Sequence, residues 1–504
     1  MKKFDRLTSI SLIVLVVSAA MSAACGAPQS PATGATPSVA PTREPIAPVS
    51  TTALTAALTV APTTAPTAMP LPTIPPTAPA ATAPAATASS ATATLRPGVP
   101  LPTATVPTPL SKTGPWLVYQ TDRGVIAANP DGSGQQLITD QPILRNDLPD
   151  GASSHGWLAL RIGAHSLDDI GTTNQTVTLT LVHLPDGQIK PIGPLLSPDM
   201  QQAIKAAAGD RNDAIEAGIA IFENSDTLKW SPDGRYLAFI AAIDGPSSDL
   251  YSYDMQTGQI NRLTDGLNQA ASLNWSPDSR WIVHEEVENF GTGAGWNVKA
   301  VWAAAPDGSQ TRKVYDAPQS SGGEQVIGWT APDTFIVYTW QVSGPQSPRL
   351  INVNTGAATP IKLDMLKQGD WSSLVWATPA HRFYVTTFEH GVSSATLNNR
   401  QPQQFADEVF TPAVSPDGQR LAFWGNSVYG QQRDGVRVYA PNGDLIREIT
   451  TDAADFVTWQ PDGAKLFYMS DGTLYTVQLP DGRPVPIEQG AQVSIEGGLG
   501  WVQR

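Results

Sequence analysis

Three short motifs return along the C-terminal three-quarters of this chain, each about 40 to 50 residues from its next copy. Repetition at that period confines the fold to architectures that array one small unit many times. The first motif is an aromatic at a strand end followed by a Pro-Asp turn. It reads Trp230-Ser-Pro-Asp-Gly234, Trp275-Ser-Pro-Asp-Ser279, Val414-Ser-Pro-Asp-Gly418 and Trp459-Gln-Pro-Asp-Gly463, with looser copies at Trp329 and Trp376. Proline presets φ for such a turn, and glycine after it accepts positive φ. The second motif is the apolar strand that follows, as in Trp116-Leu-Val-Tyr119, Tyr236-Leu-Ala-Phe239 and Phe335-Ile-Val-Tyr338. Side chains that are large on both faces suit a strand buried on both sides. The third is a later hairpin turn, as in Asn129-Pro-Asp-Gly132, Ala305-Pro-Asp-Gly308 and Leu479-Pro-Asp-Gly482.

The second and third motifs each occur eight times. Their spacing is that of a four-stranded propeller blade, so the expected fold is all-β: an eight-bladed β-propeller over 113–504, with seven blades as the runner-up. A row of β-sandwich domains fits such uniform copies less well. The first copy begins at Trp116, a second strand with no inner strand before it. At the other end, Leu499-Gly-Trp501-Val-Gln503 has an aromatic in the right column and no strand after it. The expectation is that 499–503 supplies the inner strand of blade 1 beside Trp116–Tyr119, closing the ring from both termini.

These residues resemble the TolB-like, WD-repeat-like propeller family, whose repeat centres on Trp-Ser-Pro-Asp-Gly. The resemblance covers nearly all of 114–504. It implies a propeller but no one activity, because such propellers include periplasmic binding proteins, peptidase-associated domains and some sugar-active enzymes. TolB itself is six-bladed with an extra N-terminal domain; this chain has more copies and lacks that domain.

The N-terminal residues read differently. Lys2, Lys3 and Arg6 precede an apolar run that ends in Met21-Ser-Ala-Ala-Cys25-Gly26. This is the pattern of a secretory signal, and it resembles a bacterial lipoprotein signal, with Ser22 where an aliphatic residue is usual. Cys25 is the only cysteine in the chain and is the expected lipidation site, which places the protein outside the cytoplasm and anchored to a membrane. Residues 26–112 are Pro, Thr, Ala and Ser with almost no charge. Such a segment cannot bury enough apolar surface to offset its ordering entropy, so a disordered linker is expected, with a reach of roughly 270 Å at about 3.1 Å per residue.

The net charge of −14 and the lack of a basic cluster argue against nucleic acid as a partner. No Gly-x-Ser-x-Gly elbow and no phosphate-binding glycine loop are present. The six histidines show no metal-ligand spacing, and no cofactor or metal is expected. His284 falls in a column of core aromatics and reads as a packed histidine.

Loop length is more telling. The Pro-Asp turns and Asp-Gly hairpins share one end of the blades. The long segments 163–174, 242–249, 285–297, 341–348 and 425–434 share the other, with an insertion at 196–226. In that insertion Ser197 can cap a helix with Pro198 at its first position, putting Met200, Ile204 and Ala207 on one face. Long loops on a rigid scaffold commonly carry binding. Glu285, Glu286, Glu288, Trp296, Trp340, Trp371 and His390, with Asp168, Asp169 and Glu389, are the candidate ligand-binding residues. Acidic groups mixed with Trp suit a cationic peptide, a glycan or a bound cation. The expected role is non-enzymatic binding or scaffolding of an envelope or extracellular protein, peptide or glycan, by a monomer. The alternative is a propeller enzyme acting on polysaccharide.

Overall fold

The computed structural model describes residues 109–504, apart from 145–146, 154, 173–175, 208–212, 223–225, 290–295, 319–321, 342–343, 346–347, 364–371, 388–390, 399–401, 406–407, 409, 427–432 and 489–497. Cys25, the expected signal and nearly all of the expected linker lie outside the described residues.

Eight antiparallel sheets follow one another along the chain, one per sequence repeat. They comprise blade 1 (116–139 with 499–502), blade 2 (157–194), blade 3 (228–262), blade 4 (269–316), blade 5 (322–360), blade 6 (372–405), blade 7 (413–450) and blade 8 (456–488). The chain is therefore an eight-bladed β-propeller, and the seven-bladed alternative falls. Blade 1 takes its inner strand from the C-terminus, with Trp116 opposite Val502, Leu117 opposite Trp501 and Tyr119 opposite Leu499. That strand covers the edge of Trp116–Thr121, which would otherwise stand unpaired.

Pro109–Lys112, grouped with the linker on composition, lie against blade 1. The Asn129 side chain donates to the Pro109 carbonyl at 3.2 Å and accepts the Ser111 N–H at 2.7 Å. The Trp116 indole donates to the Ser111 carbonyl at 2.7 Å.

The repeated motif has two jobs. In the turn after Trp230, the Ser231 hydroxyl donates to Asp233 at 2.6 Å and accepts the Tyr236 N–H of the next strand at 2.9 Å. The same pair of bonds recurs at Ser276 and Ser415. The motif tryptophan ties neighbouring blades. Trp275 of blade 4 donates its indole N–H to Lys229 of blade 3 at 3.0 Å. Trp376 donates to Trp329 of blade 5 at 3.1 Å, and Trp459 to Ala413 of blade 7 at 2.9 Å. Trp501 departs from this pattern: it packs edge-on against Phe467, with ring centroids 4.9 Å apart.

Apolar clusters sit chiefly in the seams. Leu117, Tyr119, Phe467 and Leu499 join blades 8 and 1; Val301, Val314, Phe335 and Ile351 join blades 4 and 5. The largest cluster joins blades 2 to 4 with the insertion. Two blades depart from four strands: blade 5 has a fifth, short strand, Gly344–Pro345, and blade 2 has three strands and a helical turn, Asp147–Gly151, in place of a regular inner strand. That turn fits because Gly500 faces it: a Cβ there would come within 2.1 Å of the Leu148 carbonyl.

The insertion holds two helices, Pro198–Ala207 and Asp213–Phe222, where sequence reading expected one. Ser197 caps the first as expected, accepting the Met200 N–H at 3.1 Å, and Met200, Ile204 and Ala207 are buried.

Candidate functional site

The two insertion helices pack on each other and on a third, Leu167–Thr172, at the long-loop end of blade 2. Gly218 permits the approach, since a Cβ there would meet Leu167 Cδ1 at 2.6 Å. A buried ion pair fixes this group to the propeller. Arg161 donates from Nε to Asp147 at 2.7 Å, and from Nη1 to the Ile221 carbonyl and the Thr227 hydroxyl at 2.9 and 2.7 Å. Both charged side chains are at most 5% exposed.

Beside the second helix lies a cleft of 410 Å³ between blades 3 and 4. Its walls are Glu216 of that helix, the 244–247 loop of blade 3, the 265–269 connection, and Val287 and Glu288 at the end of the second strand of blade 4. Polar bonds hold the two loops together: Ser247 donates to the Gly266 carbonyl at 2.9 Å, and Gln269 accepts the Ser248 N–H at 2.7 Å. Arg262 bridges Asp249 at 2.7 Å and Asp265 at 2.8 Å. Burial raises the Asp249 carboxyl, opposed by its bonds to Arg262 and Thr264. Glu288 is held below the usual range by Lys299, whose ammonium lies 2.8 Å away. Leu267 stands on the lip with 99% of its surface exposed. Carboxylates outnumber cations around this space, and an aliphatic contact sits at its edge.

The structure separates the candidate residues. Glu285 is not on the rim: it is 6% exposed, inside the seam between blades 4 and 5. Glu286 accepts from Asn268 and from the Trp302 indole, both at 2.7 Å, and so braces the loop behind the cleft. Glu288 lines the cleft itself. Asp169 works as a local cap, accepting the His165 N–H at 2.8 Å, while Asp168 is exposed on the same helix. Trp296 and Trp340 fall on strands of blades 4 and 5, with side chains outside the described residues. Trp371, Glu389 and His390 lie outside the described residues altogether. His284 is a core residue, 3% exposed, and burial lowers it to about 4, so it is neutral. Among the described residues, no three His, Cys, Asp or Glu side chains gather as a metal site.

Sequence reading missed Glu216, Asp244, Asp265 and Leu267. The 242–249 loop had been marked by its length, but nothing in it singled out Asp244. Asp265-Gly-Leu267 reads as an ordinary turn, and the leucine at its end is the one available signal.

No family model matches the chain. Over 106 residues it is 30% identical to the uncharacterized peptidase YuxL of Bacillus subtilis (strain 168), which is 18% of this chain and 16% of that protein. Over 114 residues it is 32% identical to the uncharacterized protein Atu1656 of Agrobacterium fabrum (strain C58 / ATCC 33970), 21% of this chain and 36% of that one. The match thus spans little more than a third of either relative at most. Among solved structures, the chain is similar to a prolyl endopeptidase at 14% identity and a TM-score of 0.45, over 69% of this chain and 51% of that one. It is also similar to the acylaminoacyl peptidase of Pyrococcus horikoshii at 14% identity and a TM-score of 0.40, over 68% and 52%. An oligogalacturonate lyase in complex with manganese gives 14% and 0.39, over 51% and 74%. The propeller stands on its own strand pairings.

Proposed function

We propose that this protein is an extracytoplasmic, lipid-anchored propeller that binds a cationic peptide or protein segment in the cleft between blades 3 and 4, without reacting with it. The observation that carries this reading is the cleft. Glu216, Asp244, Asp265 and Glu288 surround a 410 Å³ space with Leu267 on its lip. Among the lining residues these four carboxylates meet one guanidinium, that of Arg262. Carboxylates in a concave, partly desolvated wall attract Lys and Arg more strongly than the same groups on a flat surface. The signal pattern ending at Cys25 supports the anchored, exported part of the reading.

The test is titration of the purified protein with fluorescent peptides of equal length, one rich in Lys and Arg, one rich in Glu. The basic peptide is expected to bind, with affinity falling as salt rises. The double variant Asp244→Asn/Asp265→Asn is expected to lose about tenfold, or about 1.4 kcal/mol. Equal affinity in the variant, or preference for the acidic peptide, rules the cleft out. Shortened peptide after incubation would overturn the non-enzymatic reading.

A further inference from the structure

Glu285 takes no part in the cleft and spans the seam between two blades. It lies on the second strand of blade 4 (Ile282–Asn289), and its Oε1 accepts the N–H of Val326, on the inner strand of blade 5 (Gly322–Ala331), at 2.9 Å. The Ser272 hydroxyl donates to the same carboxyl from a bulge in the inner strand of blade 4. The charged groups that act on it from neighbouring elements are both acidic: Asp226, ahead of blade 3, and Glu324, two residues before Val326. The guanidinium of Arg349 is engaged elsewhere. It donates to Thr339 at 3.1 Å and to Tyr315 at 3.2 Å, and both of those hydroxyls bond Glu324. His284 and Glu286, the strand neighbours of Glu285, point to the opposite face.

We propose that Glu285 makes the seam between blades 4 and 5 a proton-controlled joint, held closed at acid pH and loosened as pH rises, because opening the seam lets its carboxyl release a proton. Two bonds, from Val326 and Ser272, favour the charged form, but burial outweighs them and the two carboxylates oppose ionisation further. The group is pushed from 4.5 up to about 8. Between those values the folded protein keeps a proton that the unfolded chain releases. The stability contributed by this group is therefore complete at acid pH, falls as pH rises through that window, and levels off above it. Above about pH 8 the folded state itself carries the charge, and opening the seam brings that charge to water.

Amide hydrogen exchange on the full protein tests this, each rate corrected for its intrinsic base catalysis. Peptides covering 322–331 are expected to lose protection by up to about a hundredfold between about pH 6 and about pH 9, relative to peptides from blade 7. Glu285→Gln should abolish that difference. Glu324→Gln, which removes one opposing carboxylate, should make the loss level off at lower pH and so shrink it, and it carries the test if Glu285→Gln does not fold. Constant relative protection in the wild type, or an unchanged pH response in Glu285→Gln or Glu324→Gln, overturns the proposal.

Discussion

Single residues in this propeller work mostly by joining things that sequence keeps apart. Asp147 and Arg161 show it best: one carboxylate and one guanidinium connect the inner turn of blade 2, the second insertion helix and the first residues of blade 3. Both side chains are buried, so breaking one half strands the other without a counter-charge. Arg161→Leu is expected to cost about 3–5 kcal/mol in urea unfolding, and the double variant Asp147→Leu/Arg161→Leu less than the single one. A single variant as stable as the wild type would show the pair to be dispensable. Ser279 makes a quieter point. It sits at φ 62, where three other copies of its turn have Gly234, Gly418 and Gly463, yet its hydroxyl accepts the Asp233 N–H of blade 3 at 3.0 Å. The bond between blades offsets the backbone cost.

At the scale of elements, the closing strand Leu499–Val502 has only four residues and a wide effect. It completes blade 1, covers the edge of Trp116–Thr121, and brings Leu499 and Trp501 against Phe467. Removing 498–504 would expose a sheet edge and open the seams on both sides. The truncated protein is expected to melt well below the full chain and to bind a hydrophobic dye at 25 °C. Coincident melting curves would show that the ring does not depend on this strand. The insertion helices teach the complementary lesson. Pro198–Ala207 is legible because a serine cap, a proline and a buried stripe agree. Asp213–Phe222 is not, because Gly218 in its middle counts against a helix until Leu167 is seen packed against it.

At the scale of the molecule, eight blades form a propeller closed by strands from both ends of the described chain. The proposed cleft belongs to the long-loop end, and residues 109–111 meet blade 1 beside the hairpin at Asn129. The proposed lipid anchor is a property of the whole chain, since it decides where the propeller works. Cys25→Ala is expected to shift the protein from the membrane fraction to the soluble fraction, read by fractionation and immunoblot. A variant that stays with the membrane would sink the lipoprotein reading.

Blade number, ring closure and the first insertion helix were legible in the sequence because each rests on a local pattern: a Ser-Pro-Asp-Gly turn, an Asp-Gly hairpin, an unpaired strand at each end, a capped amphipathic stripe. Local chemistry of that kind acts over a few residues and survives any tertiary arrangement. The cleft was not legible. Glu216, Asp244, Asp265 and Glu288 come from four separate segments, and only the packing of blades 3 and 4 against the second insertion helix brings them to one space. Nor could the alternation of Glu285 and Glu286 along a strand tell which seam the inward side would meet. Neighbouring residues one position apart thus end in different surroundings: Glu286 braces a surface loop, and Glu285 sits between two blades beside Glu324, where burial governs its proton.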